Sequence, residues 1–196
     1  MKREPSGLSS TQSALLGRYT LLLEERAVPL GLISASDGGR IWTRHVLDCL
    51  RAAPLVRDYD RLAYDLGSGS GLPGLVLAIA CPWCRFVLVE ARARRAGFLE
   101  LAVQQLGLSN VEVAPRRAEE PSEPADLATS RAFAPLSRAW EIAHPLLRPG
   151  GRLIFFAGAA ATDPEVAARS LSPAPASVEM ARDVATSSPM VIMARG

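Results

Sequence analysis

Asp65-Leu66-Gly67-Ser68-Gly69-Ser70-Gly71-Leu72-Pro73-Gly74 is the stretch on which the fold turns. Residues 61–66 before the glycines read as a short apolar strand. Residues 72–80 are apolar on nearly every face, which marks a buried helix, and Pro73 suits a first turn, where a missing N–H costs nothing. Strand, glycine loop and buried helix together are the βα turn of an open parallel sheet. Ligands bind there, beyond the carboxyl ends of the strands. Glycines let backbone approach a ligand with no Cβ in the way.

The pattern continues outward from this turn. Residues 85–90 carry the continuous run Phe86-Val87-Leu88-Val89, typical of a strand covered on both sides. Residues 93–106 place Phe98, Leu99, Ala102, Val103 and Leu106 on one helical face, and Gly107 ends that helix. Strands are expected at 111–114 and 126–130, and a helix at 136–147 that Pro145 bends or shortens. Pro149-Gly150-Gly151 turns the chain into a fifth strand, 152–157. Segments 178–184 and 190–194 read as an antiparallel pair closing the sheet, with no helix between them. Upstream, residues 11–28 and 41–50 carry helical stripes, separated by Pro29, Gly31 and the breaking stretch 34–39. The expectation is an α/β fold: a doubly wound, mainly parallel seven-stranded sheet spanning 59–196, with an N-terminal helical cap over 1–58.

Composition sets the outer bounds. The 196 residues suit one domain with a small appendage, and 48% hydrophobic with 21% charged residues excludes extended disorder. Against 20 acidic side chains stand 22 basic ones, a net charge of +2, which allows an anionic partner without demanding one. Three cysteines build no disulfide framework, and the first thirty residues lack a signal-peptide layout. Arg, Glu and Pro interrupt every apolar stretch. A cytoplasmic protein without membrane or metal, acting as a monomer, is expected.

Gly69-x-Gly71-x-x-Gly74 matches a dinucleotide fingerprint, and Glu90, about 20 residues on, would suit a ribose hydroxyl. That glutamate fits any adenosine-bearing ligand. Asp65 discriminates. A carboxylate ahead of the first glycine repels a pyrophosphate, but favours the ammonium and sulfonium of S-adenosylmethionine (SAM). Pro73 also removes an N–H that a pyrophosphate would use. The alternatives are a nicotinamide-dependent oxidoreductase on the same sheet and a tight turn with glycines only for packing.

Four motifs in order carry a resemblance: Trp42-Thr43-Arg44-His45-Val46-Leu47-Asp48, the glycine loop with its Leu72-Pro73-Gly74 extension, Arg117-Ala118-Glu119-Glu120, and Ser130-Arg131-Ala132. From about Leu15 onward the chain resembles the bacterial 16S ribosomal RNA guanine-N7 methyltransferases, the glucose-inhibited division protein B family. The resemblance implies a class I methyltransferase sheet, SAM as methyl donor, and a guanine of 16S rRNA or of the small ribosomal subunit as acceptor. It implies that Gly67 and Leu72 line the cofactor site, where the reading of the residues already sets Asp65, Gly69, Gly71 and Glu90. It further implies that Ala118 and Glu119 flank the adenine, and that Arg131 faces the cofactor or the incoming base. That family usually ends its fifth strand in Lys-Gly, where this chain has Ala157-Gly158. It also has Asn-Leu-Thr where Gly31-Leu32-Ile33 stands here. A member that binds RNA and SAM with impaired turnover is therefore a further alternative.

Guanine N7 is a bare lone pair on the major-groove edge, so its methylation needs no general base. The site is expected to lack a catalytic His or Cys, and Arg131 would hold the O6 side of the base. A looped or single-stranded target is expected, because the A-form major groove excludes side chains. Arg40, Arg44, Arg92, Arg94, Arg95 and Arg138 are candidate phosphate contacts. Arg92, Arg94 and Arg95 stand out because they cluster just past Glu90. Taken singly, each is more often a solvated surface charge. Cys81-Pro82-Trp83-Cys84 closes a helix instead of opening one, the wrong place for a redox pair. Trp42 and Trp140 lie on core-facing helical stripes. His144 precedes Pro145 and reads as structural. His45 is expected to fix the cap by a hydrogen bond more readily than to touch RNA.

Overall fold

The computed structural model describes residues 7–120, 122–158, 163–181 and 189–196. Its sheet has strands β1 (Leu62–Leu66), β2 (Arg85–Val89), β3 (Val111–Ala114), β4 (Ala125–Arg131), β5 (Leu147–Phe156), β6 (Ser177–Ala181) and β7 (Met190–Ala194). Their spatial order is β3-β2-β1-β4-β5-β7-β6. β1, β2, β3, β4 and β5 run parallel, and β7 is antiparallel to both β5 and β6. The order reverses at β1, so the crevice at its carboxyl end is the switch point where such sheets bind ligands. Every residue of β1 is buried, as its apolar run requires of a strand covered on both faces.

Helices α1 (Ser10–Leu22), α2 (Leu47–Leu50), α3 (Gly74–Ala80) and α4 (Ala93–Leu106) lie on one side, and α5 (Leu136–Leu146) and α6 (Pro164–Arg169) on the other. α1 opens with a capping box: the Gln12 amide donates to Ser9 Oγ at 3.2 Å and the Ser9 amide to Gln12 Oε1 at 2.9 Å. The Gln12 side chain also donates to the carbonyls of Ile79 and Ala80, at 3.0 and 2.9 Å, satisfying the end of α3. Leu16, Tyr19, Leu23, Ile41 and Val46 share one core with Leu75, Leu77, Leu88 and Leu99. The cap is thus the cover of one sheet face. Trp140, Ile142 and Leu146 of α5 cover the other.

Several boundaries differ from the pattern reading. The first helical stripe is α1 followed by a π-helical turn, Leu23–Ala27, and the second is a π-helical turn, Trp42–Val46, running into α2. The stretch expected to break the chain holds a 3-10 turn, Ala35–Arg40. α3 starts at Gly74, with Pro73 outside its first turn, because Asp65 Oδ2 takes the Gly74 amide at 3.1 Å and fixes the start there. β5 begins at Leu147 and passes through an irregularity instead of a clean turn. α6 was not expected; its six residues are too few for a clear period. Residues 182–184 of the expected 178–184 strand lie outside the described residues, as does most of the link to β7.

Candidate functional site

The carboxyl ends of β1, β2 and β4 open into two cavities that meet at Gly67, Arg95 and Ala132. One, of about 410 Å³, is walled by Val89, Glu90, Ala118, Glu119 and Phe133, with Arg92, Arg116 and Arg117 at its edge. The other, of about 270 Å³, lies under the cap, between the glycine loop with Leu72 and a wall of Leu32, Asp37, His45 and Arg131.

The glycines serve different ends. Gly69 has φ +60°, and a Cβ there would meet only the Gly67 carbonyl oxygen at 3.8 Å, leaving open space for a ligand. Gly67 has φ +68°, and its missing Cβ makes room for the Phe133 ring, 2.2 Å from where that carbon would sit. Gly71 lines neither cavity: its φ of +92° packs it on Leu75 and the Tyr19 hydroxyl. That hydroxyl donates to the Ser70 carbonyl at 2.6 Å, so α1 clamps the loop directly.

Asp65 corrects the expectation of a carboxylate facing the ligand. It is 1% exposed and lines neither cavity. It sits beneath the loop, where Oδ1 accepts from Thr129 Oγ1 at 2.8 Å and Oδ2 from the Gly74 amide. Burial pushes it up to about 6 against the pull of these hydrogen bonds and of Arg131. Its effect on a ligand is through its field, not by contact. Glu90, 5% exposed, does reach the larger cavity. Its Oε2 accepts from the Gly69 amide at 3.0 Å and its Oε1 from the Arg92 amide at 2.9 Å.

The loop's donors decide between ligand classes. The amides of Gly67 and Ser68 donate to the Val89 carbonyl, Gly71 to Ser68, Gly69 to Glu90 and Gly74 to Asp65. A pyrophosphate cradle needs such amides free and aimed outward. Here they are engaged, two of them by carboxylates. A cationic, phosphate-free ligand carrying a diol for Glu90 fits this donor set, and SAM has that chemistry.

Arg131 ends β4 and lines the cap-side cavity. Its NH2 lies 3.0 Å from His45 Nδ1 and its Nε 3.5 Å from Asp48 Oδ2. Ala132 follows with φ +54°, a costly backbone for a non-glycine residue, which swings Phe133 onto Gly67. Ala118 is a buried wall, while Glu119 is an exposed rim group paired with Arg138 at 2.7 Å. Arg138 is also held by Glu141 at 2.8 Å, so the structure gives it two carboxylates in place of a phosphate. Arg92 and Arg95 stand at the cavities, but Arg94 is turned away by helical rotation, over a groove lined by Glu25, Pro29, Leu30 and Phe98. Arg44 faces Asp37 at 3.2 Å, and Arg40 approaches the same oxygen at 3.6 Å. Ala157 is buried in the core beneath α5 and lines neither cavity. Cys81 and Cys84 are free and buried, with burial pushing both thiols up to about 12. Among the described residues, no cluster of His, Cys, Asp and Glu suits a metal ion, and no helix is long and apolar enough to cross a membrane.

Pattern reading missed Asp37 and Phe133. Asp37 lies in a stretch that reads only as a chain breaker. Its signal was an acid amid Arg40, Arg44 and His45.

The family model of rRNA small subunit methyltransferase G matches residues 12–183. Ribosomal RNA small subunit methyltransferase G of Acidothermus cellulolyticus is 42% identical over 145 residues, covering 74% of this chain and 65% of that protein. The protein of the same name from Acidiphilium cryptum is 44% identical over 146 residues, covering 73% of this chain and 67% of its own. The matched chain thus spans just under two thirds of the first relative's length. Among solved structures, the O-methyltransferase TomG of Streptomyces achromogenes, determined in complex with SAM, superposes with a TM-score of 0.61 at 20% identity. That match covers 99% of this chain and 92% of that one. The likeness shows the fold, the class I SAM-dependent methyltransferase sheet. Together with the family match along most of its length, it places the chain in the rRNA small subunit methyltransferase G family.

Proposed function

We propose that the chain transfers a methyl group from SAM to N7 of a guanine in 16S rRNA. The observation that carries this is the pair of cavities meeting at Gly67 and Ala132: one is walled by Glu90 and Ala118, the other presents Arg131. The first suits the adenosine and the second the methionine end of the cofactor with an incoming base, so donor and acceptor would meet over the glycine loop.

When bound, SAM supplies an electrophilic methyl group. The acceptor N7 carries no proton, so the residues around it need only position the two partners and exclude water. Glu90 would accept ribose hydroxyls on its remaining lone pairs while keeping the Gly69 and Arg92 amides. Ala118 would wall the adenine, Glu119 would stand at its rim, and Leu72 and Gly69 would lie along the cofactor. Arg131 would donate to the guanine O6 edge. No side chain must take a proton: His45 is held below the ordinary imidazole value by burial and by Arg131, and is already neutral near pH 7. Arg92 and Arg95 at the rim, with the half-exposed Arg44, would meet phosphates of a looped RNA segment.

Labelled SAM incubated with small ribosomal subunits lacking the modification should place label on N7 of one guanine. S-adenosylhomocysteine should stabilise the folded protein by about 2.7 kcal/mol at 100 times its dissociation constant, and NAD not at all. Stabilisation by NAD, or label only at other positions, refutes the proposal. Arg131→Ala should lower kcat roughly tenfold to hundredfold through misplacement of the base, with S-adenosylhomocysteine affinity within about twofold of the parent. Full turnover in that variant would remove Arg131 from the site.

A further inference from the structure

We propose that Asp37 and His45 form a two-residue relay that positions Arg131, with His45 serving as its hydrogen-bond acceptor. An arginine guanidinium only donates and stays charged. Its NH2 lies 3.0 Å from His45 Nδ1, so that nitrogen must present a lone pair. The ring proton is then on Nε2, 3.2 Å from Asp37 Oδ2, to which it donates. Asp37 is 8% exposed and is itself steadied by Arg44 and Arg40 on its other oxygen. Asp48, from α2, holds the Arg131 Nε side. The guanidinium is therefore fixed from two directions, both supplied by the cap, at the strand end where the two cavities join.

The cap thereby does more than cover the sheet: it sets the rotamer of a side chain on β4. The charged groups facing His45 are Asp37 from the 3-10 turn, Arg131 from β4 and Arg44 from its own turn, with Arg95 of α4 across the cavity. Protonating the ring would turn Nδ1 into a donor aimed at another donor. Burial first, then Arg131, keep the ring neutral, so the relay is intact at neutral pH and is lost as pH falls through the lowered value.

The relay can be tested without activity. The chain has two histidines, His45 and His144, so one variant, His144→Gln, assigns the imidazole nitrogen resonances. Those of His45 should report the Nε2–H tautomer and a midpoint below 6.5, raised by Arg131→Gln and lowered by Asp37→Asn. An Nδ1–H tautomer, or a midpoint that neither variant moves, overturns the inference. The kinetic arm rests on the proposed methyl transfer. His45→Ala should reduce kcat about tenfold with little change in KM for SAM, and His45→Asn, whose amide oxygen replaces the Nδ1 acceptor, should recover most of that loss. At saturating SAM, where the Asp65 charge no longer limits binding, His45→Asn should also lack the acid limb of the parent kcat profile. Equal losses in the two variants, or an acid limb that persists in His45→Asn, overturn the inference. Were rRNA methylation itself absent, the proposed function would fail while the resonance measurement still decided the relay.

Discussion

Asp65→Asn should make the protein more stable above pH 6 and less able to prefer SAM over its demethylated product. The Asp65 carboxyl is 1% exposed and pushed up to about 6 from 3.8, chiefly by burial. An acid whose folded value is raised binds its proton more tightly in the native state. Its stabilising contribution is complete below the unfolded value near 4 and is lost as pH rises through 6. The gap corresponds to about 3 kcal/mol of strain carried at neutral pH. Asparagine keeps an acceptor for the Gly74 amide and turns its NH2 to Thr129 Oγ1, which can accept as well as donate. Thermal unfolding between pH 4 and 8 should therefore flatten in the variant. At pH 8 its Tm should rise by about 2–4 °C for each kcal/mol relieved. Under the proposed function, a cationic ligand would draw on this charge through its field. Calorimetric titration should show SAM weakened several-fold and S-adenosylhomocysteine, which lacks the sulfonium charge, little altered. Parallel pH curves for parent and variant would mean that Asp65 does not titrate in this range.

Asp65 also marks what was legible in the sequence and what was not. A carboxylate at the end of the first strand, three spaced glycines and an acid after the second strand are local features that favoured SAM over a dinucleotide, and the alternation of strands with helices marked the parallel sheet. The direction of the Asp65 side chain is not local. It follows from Thr129 on β4 and Gly74 on α3, two elements the chain reaches at different times. Gly71 reads as a ligand glycine for the same reason, and Gly67, which does line both cavities, gives no local sign of its second, packing role. Only the fold reveals that Phe133 and Tyr19 occupy the space their side chains would need. Arg94 was grouped with Arg92 and Arg95 by sequence proximity, yet helical rotation takes it to another groove. By contrast, Gly107 with φ +66°, the β6–β7 antiparallel pairing and the placement of Arg131 at a strand end follow from patterns of a few residues. Asp37 carried only the signal of an acid amid local basic residues, because its link to Arg131 runs through His45 to a strand far along the chain.

Arg152→Met should cost about 3–5 kcal/mol of stability, because it strands a buried carboxylate. Arg152 NH2 lies 2.6 Å from Asp60 Oδ2, with side-chain exposures of 6% and 2%, and Arg152 NH1 donates to the Leu55 carbonyl at 2.9 Å. Asp60 also accepts from the Arg57 amide at 2.8 Å. These bonds join β5 to the short 3-10 turn Ala53–Leu55 that ends the cap, at the opposite end of the sheet from the two cavities. Neutralising the stranded partner should therefore recover much of the loss. Arg152→Met combined with Asp60→Asn keeps the acceptor for Arg57 and removes the uncompensated charge, so the double variant should be more stable than Arg152→Met alone. Urea unfolding of the parent, the two single variants and the double variant gives the coupling directly. Because the pair sits far from Glu90 and Arg131, the folded fraction of each variant should bind S-adenosylhomocysteine as the parent does. A large loss of affinity would mean that the cap's docking at this end sets the geometry of the cleft at the other. The energy of the buried pair would then belong to the site as much as to the fold.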